Sequence, residues 1–170
     1  MAGPLRLDPG DLAKVLPPGG RTFVSACSAE SELLQREVVA AGESLGSMDF
    51  SGIFVPGLNR SIWKAGPEST VTTFFQTPEL AAEGSRSRFL PMCYQDIVRW
   101  YATRPLDAAL LMLAPPDEDG KCSLGVDVGL GGDLWKNARA VVAHINPNMP
   151  RTRGHQGVPF SRLTGYFEGG

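Results

Sequence analysis

Ala108-Ala109-Leu110-Leu111-Met112-Leu113-Ala114 and Ala140-Val141-Val142-Ala143-His144-Ile145 are the two stretches whose reading decides the fold class of this chain. Each is a continuous apolar run, and each passes straight into a turn: Pro115-Pro116-Asp117-Glu118-Asp119-Gly120 after the first, Asn146-Pro147-Asn148-Met149-Pro150 after the second. Strands covered on both faces of a parallel sheet have this pattern, because neither face alternates with solvent. In such a sheet ligands bind beyond the carboxyl ends of the strands, so these turns are where a site belongs.

Upstream, Arg21 to Ser25 starts a strand directly after the breaker Pro17-Pro18-Gly19-Gly20. Ser28 is expected to cap a helix with Glu30 and Glu32 in its first turn, Leu33, Leu34, Val38 and Ala41 on one face, and Gly42 or Gly46 at its end. Ser51 to Val55 and Thr70 to Phe75 read as the next strands, Pro78 to Gly84 as a short helix, Arg88 to Pro91 as a strand and Tyr94 to Ala102 as a helix. Between the two opening runs, Cys122 to Val128 is expected as a further strand and Leu134 to Ala138 as a helical turn. Alternating strands and helices predict an α/β fold with an open, largely parallel sheet flanked by helices, and residues 1–170 are expected to form one domain.

The 20 glycines and 14 prolines are spread between apolar runs, which indicates many tight turns rather than a low-complexity segment. A formal charge of -2 gives no footprint for nucleic acid or an acidic membrane surface. No apolar run approaches the ~18 residues of a membrane span, and the N-terminus lacks a leader pattern, so a cytoplasmic protein is expected. Cys27, Cys93 and Cys122 are odd in number and far apart, which suits reduced thiols better than disulfides or a metal site.

Ser25-Ala26-Cys27-Ser28-Ala29-Glu30 offers small residues and free amides at the start of a helix, able to stabilise an oxyanion or phosphate, or simply to cap the helix. Cys27 could be activated as a nucleophile there, but its base would have to be His144 or His155, and His144 sits inside an apolar run. Asp117, Glu118 and Asp119 could serve as carboxylates for acid/base or metal chemistry, although Pro-Asp-x-x-Gly is first of all turn chemistry. Arg151, Arg153 and His155 form a small basic cluster that could meet phosphate or be a solvated loop. No Walker, G-x-G-x-x-G, G-x-S-x-G or H-E-x-x-H motif is present.

Asp107-x-Ala109, then Ala114-Pro115-Pro116-Asp117-x-x-Gly120-x-Cys122-Ser123-Leu124-Gly125, then Ala143-x-Ile145-Asn146-x-x-Met149-Pro150-Arg151-Thr152-x-Gly154, together resemble the acetyl-CoA hydrolase and 4-hydroxybutyrate CoA-transferase family. Phe74-Phe75, Gly84-x-x-x-Arg88-Phe89-Leu90-Pro91 and the Ser25 to Leu34 segment extend the resemblance over nearly the whole chain, to the first half of that family only. One departure is Ser31 after Ala29-Glu30, where relatives carry a proline or glycines at the helix start.

The resemblance implies a NagB/RpiA/CoA-transferase fold in two related halves, and transfer of coenzyme A through an acyl-glutamyl anhydride and a glutamyl-CoA thioester. It also implies that the glutamate lies in the second half, so no catalytic residue and no metal ligand is assigned in this chain. The coenzyme A thioester is the substrate, with no covalently bound cofactor. The expected partners are the glutamate-bearing second domain or subunit, acyl-CoA and a carboxylate. Three loops are then expected to wall the acyl pocket: Ala26, Cys27, Ser28, Ala29 and Glu30; Ser123 and Gly125; Asn146, Pro150, Arg151 and Gly154. Such a half should leave an apolar face exposed along the strand ends. The rival readings are a non-catalytic binding or interaction module that keeps the fold, and a self-sufficient Cys27-dependent thioesterase.

Overall fold

In chain order the elements of the computed structural model, which describes residues 3–170, are β1 (Leu5–Arg6), β2 (Arg21–Val24), α1 (Glu32–Ala41), β3 (Asp49–Gly52), β4 (Thr70–Thr73), α2 (Pro78–Ala82) and β5 (Ser87–Phe89). They continue with α3 (Tyr94–Ala102), β6 (Leu106–Leu113), β7 (Lys121–Cys122), α4 (Gly131–Leu134), β8 (Ala138–Ile145), β9 (Val158–Pro159) and β10 (Gly165–Glu168). Eight strands form one sheet in the order β1-β10-β8-β6-β2-β3-β4-β5. Every pairing in it is parallel, so all eight carboxyl ends lie along one edge. The expected α/β class with a parallel sheet is what the chain forms.

The two opening runs are its centre. β6 and β8 pair from Leu106 opposite Ala138 to Leu113 opposite Ile145. Their side chains divide with the period of two that a strand dictates. Ala108, Leu110, Ala140 and Val142 enter one core with Leu34 and Val38 of α1, while Ala109, Leu111, Val141 and Ala143 enter a second core with Ile97 and Tyr101 of α3. Burying each leucine, valine or isoleucine on this scale contributes roughly 1.5–3 kcal/mol. A parallel sheet needs helices on both faces for this reason.

Three local readings are corrected. Ser28 does not cap α1; residues 27–29 form a single tight turn, and Ser31 is the cap, its hydroxyl accepting from the Leu34 amide at 3.1 Å. The second strand begins two residues earlier than Ser51 and ends at Gly52, where a side chain would meet the Val24 carbonyl at 2.9 Å. Cys122 to Val128 is not a strand of the sheet: Lys121–Cys122 pairs antiparallel with Val158–Pro159, and Gly125, at φ +63°, turns the chain away.

His144 shows what the Ser31 cap does. Its ring is 7% exposed, with Nδ1 2.9 Å from the Ser31 hydroxyl and Nε2 2.9 Å from the Gly169 carbonyl. The carbonyl only accepts, so Nε2 carries the proton and Nδ1 accepts from Ser31, joining α1, β8 and the end of β10 through a neutral imidazole. Burial holds its pKa below the ordinary 6.5. The unfolded chain therefore binds more protons between the folded value and 6.5, and stability is full above that window and falls as pH drops through it. Urea midpoints should fall between pH 7.5 and the acid end of the window, and His144→Gln should flatten that dependence.

Candidate functional site

The order of strands places a crevice between β2 and β6. From β2 the chain moves out to β3, β4 and β5 on one side, and from β6 to β8 on the other, so the loops after β2 and β6 diverge at this point. In open α/β sheets such a switch point is where ligands bind. The Ser25 amide donates to the Leu110 carbonyl at 2.9 Å, tying the start of the β2 loop to β6.

Cys27 stands at the tip of that loop with φ +48°, the sole described non-glycine residue in the left-handed region. A residue held there costs on the order of 1–3 kcal/mol and needs its surroundings to hold it. Asn59 does so. Its side chain is 1% exposed; Oδ1 accepts from the Cys27 amide at 3.1 Å and the Val55 amide at 2.8 Å, and Nδ2 donates to the Cys27 carbonyl at 2.9 Å. The sequence marks Asn59 as part of a turn, Pro56-Gly57-Leu58-Asn59, but gives no hint that it reaches back 32 residues.

The Cys27 thiol donates to the Ile53 carbonyl at 3.3 Å and also faces the Asp127 carboxyl group. Burial first, then the negative charge of Asp127, pushes this thiol up to about 11. Neither histidine is hydrogen-bonded to it: His144 is bound to Ser31 and Gly169, and His155 Nδ1 accepts from the Gly157 amide at 3.0 Å. Expectations of an activated cysteine are therefore overturned, since the thiolate is the nucleophile and such a thiol is ionised to about one part in a thousand at pH 8. Iodoacetamide at pH 8 should modify Cys27 far more slowly than exposed Cys93.

Asp127 and Tyr94 are the site groups that pattern reading misses. Both line the cleft with Ser25 to Cys27, Ile53 and Gly129 to Gly131. Asp127 sits between Val126 and Val128 in what resembles a strand; the flanking Gly125 and Gly129 were the available signal for a loop. Burial raises the pKa of Asp127, opposed by the Cys27 thiol and the Ser28 amide, and burial likewise raises that of Tyr94.

The other two candidate loops meet the first through packing. Ala29, Ala114 and Met149 form one buried cluster, joining the ends of β2, β6 and β8. Ser123 Oγ accepts from the Gly125 amide at 3.1 Å and the Thr152 amide at 3.2 Å, while Thr152 donates to the Gly125 carbonyl at 2.7 Å. Asn146 accepts from the Asn148 amide at 2.8 Å, shaping its own turn, and the Pro150 carbonyl closes over Gly125.

Arg151 is not free for phosphate. It bonds Asp117 at 2.9 Å, the Pro115 carbonyl at 2.6 Å and the Lys121 carbonyl at 3.1 Å, clamping the loop after β8 to the turn after β6. Asp117 also accepts from the Lys121 amide at 2.7 Å, so the acidic triplet is turn chemistry as expected. Gly154 lies outside the convergence, with open space around it. Glu30 faces a separate groove with Arg36 and Arg60. No cluster of three or more metal-binding side chains occurs among the described residues.

No family model matches the chain. A segment of 86 residues, 49% of the chain, is 35% identical to succinyl-CoA:acetate/propanoyl-CoA:succinate CoA transferase of Fasciola hepatica, covering 18% of that protein. A segment of 85 residues, again 49% of the chain, is 32% identical to 4-hydroxybutyrate coenzyme A transferase of Clostridium kluyveri, covering 20% of it. The chain is similar to CoA-transferases. Its fold is theirs as well: a 4-hydroxybutyrate CoA-transferase of Porphyromonas gingivalis superposes with TM-score 0.63 at 22% identity, over 96% of this chain and 39% of that one. RipA of Yersinia pestis superposes with TM-score 0.83 at 17% identity, over 97% of this chain and 42% of that one. The decarboxylase AibA/AibB shares the CoA-transferase fold too, with TM-score 0.65 at 10% identity over 99% of this chain and 84% of that one. The matched segments span about a fifth of the curated CoA-transferases' length, and no helix of this CoA-transferase-like chain is long and apolar enough to cross a membrane.

Proposed function

We propose that this chain forms one wall of the active site of a CoA-transferase or acyl-CoA hydrolase, with the glutamate nucleophile supplied by a second domain or subunit. The observation that carries the reading is the carboxyl edge of the sheet, where Val55, Leu58, Phe75, Phe89, Tyr94 and Val126 follow or face the strand ends and are each between 36% and 54% exposed. Apolar side chains gathered beside the loops of a site mark a surface that a further polypeptide covers.

On this reading the second half's glutamate attacks the thioester carbonyl of an acyl-CoA, giving an acyl-glutamyl anhydride and releasing CoA thiolate. The thiolate then attacks the glutamyl carbonyl, forming a glutamyl-CoA thioester and freeing the first carboxylate. An incoming carboxylate reverses both steps; in a hydrolase, water takes its place. The loops at Ala26 to Glu30, Ser123 to Gly125 and Asn146 to Pro150 shape the acyl pocket and exclude water, and acyl-CoA is a substrate rather than a resident cofactor. The cleft contains no glutamate, which agrees with a nucleophile from outside this chain. The chemistry belongs to short-chain acid metabolism, such as that of acetate, in the cytoplasm.

The test is to mix the chain with the glutamate-bearing half of a CoA-transferase and follow exchange of labelled acetate into acetyl-CoA. Exchange should require both polypeptides. Absence of association, or association without exchange, contradicts the reading. Cys27→Ser should leave any exchange intact.

A further inference from the structure

The cleft at the switch point is small, about 30 Å³, room for one or two waters and so for the two oxygens of a carboxylate group. Its titratable lining is Cys27 from the β2 loop, Asp127 from the loop after β6 and Tyr94 from the start of α3; no cation lines it. Glu30 is the further charge acting on Cys27 across the β2 loop. Asp127 and Tyr94 converge on a single point. A Cβ on Gly129 would lie 2.6 Å from Asp127 Oδ1 and 3.6 Å from the Tyr94 hydroxyl, and the glycine leaves that position open. The Leu130 amide bonds the Tyr94 oxygen, leaving its proton to donate.

We infer that this cleft is the subsite for the carboxylate of a short-chain acid, with Asp127 taking up one proton as the ligand enters and donating O–H to one carboxylate oxygen while Tyr94 donates to the other. A second negative charge beside an ionised Asp127 is repelled, and with no cation to neutralise either, a shared proton resolves the conflict. The direction in which burial moves Asp127 assists that uptake. The inference rests on reading this edge as the acyl pocket, and names which side chains meet the acid that accepts or leaves the CoA.

Binding by the full chain tests it without the second half, so its failure is distinct from a failure of CoA exchange. Propanoate is titrated at several pH values while the amide signals of Cys27, Asp127 and Gly129 are followed by NMR. Only the protonated form binds, so affinity should fall about tenfold per pH unit above the Asp127 pKa. Asp127→Asn, neutral and of the same shape, should keep propanoate binding at pH 7 and lose the pH dependence. Tyr94→Phe should weaken binding at every pH while keeping the slope, and neutral propanamide should show no such slope. The inference is overturned if propanoate at millimolar concentrations moves none of these signals, if affinity is independent of pH, or if Asp127→Asn abolishes binding in a folded protein.

Discussion

Gly125→Val is expected to destabilise the chain by about 3–5 kcal/mol, combining left-handed backbone strain with expulsion of a buried side chain. Gly125 has φ +63°, and a Cβ there would lie 2.1 Å from Met149 Sδ, 2.5 Å from Met149 Cγ and 3.1 Å from the Pro150 carbonyl. Met149 is 7% exposed and holds the loop after β8 against Ala29 and Ala114. The valine must therefore push apart the loops that close the site as well as strain its own backbone. A thermal midpoint about 10 °C below the parent is the expected size of the effect. Two comparisons separate the causes. Gly154→Ala, at φ +109° with no neighbour in reach, should cost only the backbone strain. Adding Met149→Ala to Gly125→Val should cost less than the two single changes together, because one clash is removed.

Asn59→Ala is expected to cost about 3 kcal/mol or more, since each buried polar group left without a partner costs roughly 1–3 kcal/mol. The substitution orphans the amides of Cys27 and Val55 and the Cys27 carbonyl at one stroke. Asn59→Asp keeps the acceptor for both amides but loses the donor to Cys27, so its urea midpoint should fall between those of the parent and the alanine variant. The same loss frees Cys27 from its left-handed conformation. Alkylation of Cys27 by iodoacetamide should accordingly become faster in Asn59→Ala, whereas a packing role alone would leave Cys27 as slow as before.

The sheet was legible because its central strands are buried on both faces and read as unbroken apolar runs. Ala108 to Ala114 and Ala140 to Ile145 needed only their turns to be placed as parallel strands with chemistry at their ends. Helices were legible where their faces are amphipathic: Tyr94 to Ala102 is α3 residue for residue. Short edge strands were not, since Leu5–Arg6 and Val158–Pro159 have two residues each and no period to detect. The Ser28 cap failed because Ser28 and Ser31 both precede the helix, and only the Ser31 contact with His144, 113 residues away, favours the second.

The site followed the same division. Loops at strand ends were visible, and their meeting through Ala29, Ala114 and Met149 confirms that the three belong together in space. Side-chain roles were less visible. Arg151 resembles an anion ligand until Asp117 and two carbonyls are seen to occupy its guanidinium. Asp127 looks like an interruption in a strand until the loop carries it back to Cys27. Asn59 and Tyr94 act across 32 and 33 residues, from the loop after β3 and the start of α3, and no local pattern encodes such distances.

The most direct measurement is to locate the CoA adduct in the reconstituted pair. After acyl-CoA is added to this chain and a glutamate-bearing second half, the thioester is trapped with hydroxylamine or borohydride and both polypeptides are analysed by mass spectrometry. The modification should fall on a glutamate of the second polypeptide, with none on Cys27, Glu30, Asp127 or any other residue of this chain. An acyl or CoA adduct on this chain, formed with or without the second half, would contradict the division of labour proposed for it.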